Sequence, residues 1–299
     1  MSFGNVTRLV LLPAQKVLER NPLSFCRGFL SGFPGFHSSI RLISWNEGRH
    51  RPQSRNMSKM SGANQRVPIS VDIGDMRIKY KDKSETFSED DLKSKEPFGQ
   101  FQAWFDEARV TPGVLEPNAM CLATATKDGI PSARYVLLKG FGTDGFKFYT
   151  NYESRKGREL EENPNAALTF YWEPTRRSIR IEGTVEKTSA ADSDEYFQNR
   201  PFHSQLGAHA SKQSSVIAGR ETLMVKEREL LAQNTEGQVK RPECWGGFKV
   251  IPRSIEFWQG QSDRLHDRIR FRRREPHDKP DGILLHEGED GWVYERLSP

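Results

Sequence analysis

Glu256–Arg274 reads E-F-W-Q-G-Q-S-D-R-L-H-D-R-I-R-F-R-R-R, and its two parts follow different rules. From Arg268 to Arg272, arginines alternate with Ile269 and Phe271, the period of a strand with one face in the core and one in water. The portion W-Q-G-Q-S-D-R-L-H-D-R breaks that alternation with a glycine and polar residues, and it sets Arg264, His266 and Arg268 near Trp258. Guanidinium groups hold their charge at any working pH and present a rigid fork of donors, so arginines gathered this way repel unless an anion sits among them. The stretch therefore reads as a strand, a polar site at its end, and a second strand. Arg270, Arg272, Arg273 and Arg274 fit the solvent face of that second strand.

Outward from this stretch, strands recur with clear punctuation. Asn118 to Thr126 is apolar and β-prone, and Asp128-Gly129 marks a hairpin turn. Further strands are expected at Ala133 to Lys139, Phe146 to Thr150, Ala166 to Trp172 and Ile179 to Lys187. Gly247 to Ile251, Ile255 to Trp258, Ile269 to Arg273 and Trp292 to Leu297 complete the set. Short strands joined by tight turns indicate an antiparallel sheet that closes on itself. Helices are expected after Pro97, where Phe98, Phe101, Phe105 and Ala108 form one apolar face, after Ser154, after Ser189, and over Gly219 to Asn234. The fold class is α+β, an antiparallel barrel core with flanking helices, over roughly residues 76–299.

Residues 1–70 read as a disordered leader. Through residue 60 the acids are Glu19 and Glu47 alone, against many arginines and lysines, and serines recur. An Arg- and Ser-rich, acid-poor terminus has the composition of a mitochondrial transit peptide, so the expected location is cytoplasmic or mitochondrial. Of the 299 residues, 35% are hydrophobic and 28% charged, with a net charge of +5. That balance favours an anionic partner, and much of the excess lies in the leader. Cys26, Cys121 and Cys244 are scattered, with no C-x-x-C pair, which argues against a disulfide framework or a zinc site. No apolar run approaches the ~20 residues that span a bilayer. Neither a membrane nor a metal is expected.

Four basic clusters carry the chemistry. Arg134 and Lys139 flank the apolar run in A-R-Y-V-L-L-K-G, where a buried arginine needs a partner. The two differ by an odd number, which on an ideal strand points them to opposite faces; they are expected to serve different ligands around a dimer seam. Arg155, Lys156 and Arg158 occupy the first turn of a helix, where the macrodipole is already positive, so a bound anion is expected there. Tyr196, Arg200 and Ser204, spaced by four on a helix end, could grip one phosphate. The fourth cluster is the opening stretch. Dinucleotide, nucleoside triphosphate and serine-hydrolase motifs are all missing from the sequence.

The runs S-A-R-Y-V-L-L-K-G-F, F-Y-T-N-Y-E-S-R-K-G, F-Y-W-E-P, Q-S-S-V-I and E-F-W-Q-G-Q-S-D-R-L-H-D-R, with the terminal Y-E-R-L-S-P, resemble the pyridoxine (pyridoxamine) 5′-phosphate oxidase family over about residues 76–299. The resemblance implies an FMN-binding split β-barrel, a homodimer with active sites at the subunit interface. It also implies oxidation of pyridoxamine and pyridoxine 5′-phosphates to pyridoxal 5′-phosphate, with O2 reduced to H2O2. By position, FMN contacts would come from Arg134, Tyr135, Val136, Leu137, Tyr149, Thr150, Arg155, Lys156, Gln213, Ser214, Trp258 and Arg268. Lys139, Tyr196, Arg200 and Ser204 would hold the substrate phosphate, with Arg264 and His266 over the pyridine ring as the catalytic pair. Arg264 would fix the ring and His266 would handle proton traffic. Two departures stand out: Ser178 replaces the family's usual glutamine, and Lys81 replaces an arginine after Tyr80. Basic and aromatic residues interleave as in single-strand nucleic-acid platforms, but the near-neutral folded part argues against that partner. A flavin-storing split barrel is the other rival.

Overall fold

Why the chain turns where it does is clearest at its first long helix. In the computed structural model, which describes Gly74, Met76, Tyr80 and residues 85–299, α1 (Pro97–Val110) starts at a proline whose missing N–H costs a helix nothing at that position. The Glu96 carboxylate caps it, accepting from Phe98 N at 2.7 Å and from Gly99 N. Pro97, Phe98, Phe101, Trp104 and Ala108 are its buried apolar side chains; Trp104 takes an inward place and Phe105 is half-buried. The leader expected over residues 1–70, and Lys81, lie outside the described residues.

Four strands follow: β1 (Ala119–Ala125), β2 (Pro131–Leu137), β3 (Gly140–Gly142) and β4 (Gly145–Asn151). Then come α2 (Arg155–Glu162), β5 (Asn165–Trp172), β6 (Arg177–Lys187), α3 (Ala190–Gln198), α4 (Phe202–Ala210) and α5 (Arg220–Gln233). The chain ends with β7 (Trp245–Gln259), β8 (Asp267–Arg273), β9 (His286–Glu287) and β10 (Trp292–Arg296). All strand pairs are antiparallel, in the order β2-β1-β5-β6-β7-β8-β10-β9, with β4 pairing β3 and the first part of β7. The expected closure does not occur. β2, β3 and β9 remain edges, which leaves the barrel split.

Three expectations about single elements are corrected. The two strands expected at Gly247 to Ile251 and Ile255 to Trp258 are one, β7, which runs through Pro252. A register shift between Glu182 and Gly183 on β6 accommodates the proline, which has no N–H to give the ladder. Only glycine fits at 183, because a Cβ there would lie 2.1 Å from Ile251 O. Second, α4 was not expected, and Tyr196, Arg200 and Ser204 do not share a helix. Tyr196 is on α3, Arg200 in the turn before Pro201, and Ser204 in the first turn of α4. Third, Lys139 is not on β2 at all: that strand stops at Leu137, so the parity argument with Arg134 does not apply.

The core is phenylalanine-rich. The Phe101 ring meets Phe141, Phe146 and Phe170 at centroid distances of 4.7, 5.0 and 5.4 Å, within the range of favourable edge-to-face contacts. A smaller cluster of Phe197, Leu206, Val239 and Trp245 lies beneath α3 and α4, with Tyr149 and Tyr196 packed on it. This second cluster carries the floor of the site.

Candidate active site

Helix α2 opens at Ser154, whose hydroxyl accepts from Gly157 N at 3.2 Å, so Arg155 and Lys156 fall in its first turn. Lys156 is buried, with Nζ donating to Gln213 Oε1 at 3.0 Å and Thr150 Oγ1 at 3.2 Å. Burial, then the neighbouring Arg134 charge, push its pKa down to about 8. One turn on, Glu159 is buried too. Burial opposes its ionisation, yet the Ser132 and Thr124 hydroxyls and the Arg155 guanidinium together hold the carboxyl at about 2. Its oxygens accept from Ser132 Oγ at 2.6 Å and Arg155 Nε at 2.8 Å, and pair with Arg134 Nη2 at 3.3 Å. Arg134, Arg155 and Lys156 thus surround one carboxylate. The surplus positive charge at a helix N-terminus is a site for an anion.

Beside this cluster lies a cavity of about 600 Å³. Tyr135, Val136, Leu137, Tyr149, Thr150, Lys156 and Gln213 line it, and so do Lys139, Tyr196, Arg200 and Ser204. The structure therefore brings the phosphate-gripping residues expected from sequence into one space with most of the expected cofactor residues. Arg155 and Ser214 adjoin it, joined by a 3.2 Å hydrogen bond from Arg155 N to Ser214 Oγ. Tyr149 and Tyr196 stack at 3.9 Å, and Trp245 extends the stack at 5.7 Å from Tyr149. Gly247 permits this, because a Cβ there would meet Tyr149 Cε1 at 2.8 Å. The Arg200 guanidinium lies over the Trp245 ring at 4.5 Å. Its Nη1 is buried with no hydrogen-bond partner among the described residues, and burial lowers its pKa. An unsatisfied buried donor of this kind calls for an acceptor.

A second patch holds the rest. The cavity lining includes none of Trp258, Arg264, His266 and Arg268, which cluster at the far end of β7, in the loop that follows it and at the start of β8. Ser178, Trp258 and Arg268 stand side by side on β6, β7 and β8. A separate hollow of about 340 Å³ is lined by Thr169, Tyr171, Ser178, Arg180, Glu256 and Trp258. Ser178 spends its hydroxyl on Phe170 O at 2.9 Å. The loop is anchored by buried Asp267, which accepts from Phe87 N at 2.9 Å, Gln261 Nε2 at 2.8 Å and Arg296 Nη1 at 3.0 Å. Arg264 is exposed, in the left-handed region at φ 67.

His266 sits 4.8 Å from the Trp258 ring and 6.2 Å from Tyr80. Its Nδ1 faces the Gln261 backbone N–H at 3.0 Å. A backbone N–H only donates, so Nδ1 is the acceptor and the neutral ring carries its proton on Nε2. Burial first, then the Arg264 charge, lower the imidazole pKa. The arginines assigned to the solvent face of the second strand each find an intramolecular partner: Arg270 pairs with Glu295, Arg272 with Asp278, Arg274 with Glu287, and Arg273 lies over Trp292.

Residues the sequence did not single out include Trp245, Asn199, Glu159 and Glu256. Glu159 was legible as the i+4 partner of Arg155 on one helix face, and Glu256 as the lone acid in I-E-F-W. Trp245 carried no local signal, since its stack is assembled across three elements. Among the described residues, no group of three His, Cys, Asp or Glu is placed to hold a metal, and no helix is long and apolar enough to cross a membrane.

Comparison with known proteins agrees with this layout. Residues 107–234 match the family described as pyridoxamine 5′-phosphate oxidase, and residues 245–299 match the pyridoxine 5′-phosphate oxidase C-terminal dimerisation region. A pyridoxine/pyridoxamine 5′-phosphate oxidase of Bombyx mori is 59% identical over 233 residues, 77% of this chain and 91% of its own. The crystal structure of PhzG from Burkholderia lata 383, in complex with tetrahydrophenazine-1-carboxylic acid, aligns with a TM-score of 0.60 at 32% identity, covering 71% of this chain and 97% of that one. A pyridoxamine 5′-phosphate oxidase-related, FMN-binding protein from Nostoc punctiforme PCC 73102 shares the fold, with a TM-score of 0.51 at 15% identity over 68% of this chain and 98% of its own. With two family regions matching most of the described residues, this chain belongs to the pyridoxine/pyridoxamine 5′-phosphate oxidases, oxidoreductases built on a split barrel.

Proposed function

We propose that the protein binds FMN as a homodimer and oxidises pyridoxamine and pyridoxine 5′-phosphates to pyridoxal 5′-phosphate, with dioxygen as acceptor. The observation that carries this reading is the 600 Å³ cavity, where Lys139, Lys156 and Arg200 converge with Tyr196 and Ser204. The donor set fits a phosphate ester twice over. The α2 N-terminus holds three cations against one carboxylate, and Arg200 presents a buried donor with no protein acceptor.

In this reading Arg134, Arg155, Lys156 and Ser214 hold the FMN phosphate, while Tyr135, Val136, Leu137, Tyr149, Thr150 and Gln213 line its cavity. Trp258 and Arg268 of the second patch close over the flavin of the other subunit, since they stand away from the cavity of their own chain. Bound FMN supplies two-electron chemistry, accepting hydride equivalents that dioxygen removes as hydrogen peroxide. The protein's own work is positioning and electrostatics. Lys139, Arg200, Ser204 and Tyr196 fix the substrate phosphate, and Arg264 fixes the pyridine ring. His266, neutral with its proton on Nε2, donates a hydrogen bond to the substrate. The alcohol substrate loses a hydride and a proton at the 4′ position to become the aldehyde; the amine substrate becomes an imine that water hydrolyses. The basic, acid-poor leader fits a mitochondrial or cytoplasmic location.

The test is the absorption spectrum of the purified protein. A yellow protein whose visible band bleaches when pyridoxamine 5′-phosphate is added without air, and returns with oxygen, supports the reading. A colourless protein that takes up no FMN sinks it.

A further inference from the structure

Glu256 is a buried acid on a sheet face that it shares with Arg180, Arg268, Arg270 and Trp258, and with the more exposed Glu182. It is 6% exposed, and its cross-strand neighbours are Arg180 on β6 and Arg270 on β8. Arg270 is taken by Glu295 of β10. The Glu256 oxygens are divided between two other guanidinium groups: Oε1 accepts from Arg268 Nε at 2.7 Å, and Oε2 from Arg180 Nη2 at 2.6 Å. Arg268 lies diagonally across the strand pair, one row from Glu256, in the row that carries Trp258 and Ser178.

That geometry specifies how Arg268 is aimed. Its Nε is held by Glu256 and its Nη1 by Ser298 O at 2.8 Å. The Nη2 corner is left without a hydrogen bond among the described residues. A guanidinium pinned along one edge is a planar group with a fixed direction, so less rotamer freedom is lost when the remaining corner meets a ligand. Glu256 also settles the local charge. One carboxylate between two guanidinium groups cancels their mutual repulsion beside the 340 Å³ hollow that Arg180, Glu256, Trp258 and Ser178 line. Arg180 has a second acid in Glu182, 3.4 Å from its Nε, whereas Arg268 has Glu256 as its one acidic partner among the described residues. Without the acid, the two arginines would part.

We propose that Glu256 is a positioning residue for the flavin: it does not touch the cofactor, but holds Arg268 in the orientation that binds an electron-rich, phosphorylated ring ligand. This rests on the reading that the protein binds FMN. It adds a residue that the clusters of basic side chains do not reveal, because its sign is opposite to theirs.

The experiment is a double-mutant cycle on FMN affinity, read by quenching of flavin fluorescence as ligand-free protein is titrated into FMN. Glu256→Gln keeps the shape and one acceptor but loses the charge, and it raises Kd on the order of tenfold. Arg268→Ala raises Kd at least as much. The double variant is no weaker than Arg268→Ala alone, because the acid acts through that arginine. Glu256→Asp, which keeps the charge at shorter reach, falls between wild type and Glu256→Gln, and it carries the test if Glu256→Gln does not fold. Melting of the ligand-free proteins separates a merely structural role, in which Glu256→Gln lowers the melting temperature and leaves Kd unmoved. That result, or effects of Glu256→Gln and Arg268→Ala that multiply, overturns the inference while wild type still binds FMN. A wild type that binds no FMN overturns the underlying reading instead.

Discussion

Trp245 and Trp258 stand at opposite ends of one strand, β7. Trp245 lines the 600 Å³ cavity, and Trp258 lines the separate hollow beside Ser178 and Arg180. Under the proposed function the two are halves of one ligand site, which a second copy related by two-fold symmetry completes.

The arrangement makes a complementation test decisive. Arg200→Ala damages the cavity half and Arg268→Ala the other half, so each homodimer is expected to be nearly inactive. In hybrid dimers one site receives both substitutions and the other none. Unfolding and refolding an equal mixture should then recover up to about a quarter of wild-type activity. No recovery, with hybrids demonstrably formed, would mean each subunit builds its sites alone.

Arg200 has a buried donor waiting for an acceptor. Arg200→Ala should raise KM for the phosphorylated substrate by roughly 10- to 100-fold, the worth of a charge-assisted hydrogen bond, while flavin content per subunit stays near wild type. Arg200→Lys should restore only part, because a point charge replaces a planar fork. Steady-state kinetics beside a flavin absorbance ratio check both statements; loss of flavin in step with KM would contradict the division of roles.

Lys156 sets a pH signature. Its folded pKa of about 8 lies below the ordinary 10.5, so between these values the unfolded chain binds more protons. Ligand-free protein therefore gains stability from this group as pH rises across that window. FMN affinity runs the other way, falling as the ammonium that faces the phosphate is lost. Thermal melts of ligand-free and FMN-loaded protein across the window should show the opposite trends, and Lys156→Met should flatten the first. An unchanged slope in that variant would refute the assignment.

His266 is expected to act neutral. Its pKa is lowered by burial and Arg264, so the contribution of its Nδ1 contact with Gln261 N–H is present at neutral pH and lost as pH falls through the lowered pKa. The kcat/KM profile should carry an acid limb from this group. His266→Asn should lower turnover about tenfold and remove that limb; full turnover with an unaltered profile would exclude the role.

In the core, Phe101→Ala should cost about 3–5 kcal/mol, since its ring is fully buried among Phe141, Phe146 and Phe170. Denaturant melts measure this directly.

The elements were legible wherever period and punctuation agreed. Ser154 and Ser189 announced α2 and α3, and the helix expected over Gly219 to Asn234 is α5. Asp128-Gly129 marked the turn between β1 and β2. Reading failed where a local rule met a tertiary one. Gly247 to Ile251 and Ile255 to Trp258 looked like two strands, but β7 continues through Pro252, with Arg253 as the extra residue where its pairing with β6 shifts register. The i, i+4 spacing of Tyr196, Arg200 and Ser204 looked like one helix face, but Pro201 ends that helix and the three side chains meet through a turn.

What the sequence determined by itself was chemical character. Arginine and lysine clusters too dense to be stable without an anion, an antiparallel run of strands, and the polar loop after Trp258 were all readable, because charge, period and turn chemistry are local properties. What the tertiary structure alone decided was pairing. Which cations an acid neutralises inside the chain, as Glu159 does for Arg134 and Arg155, and which keep a donor free, as Arg200 does, depends on strand register and helix placement. Electrostatic energy is set by distances through space, and the order of residues along a chain does not contain them.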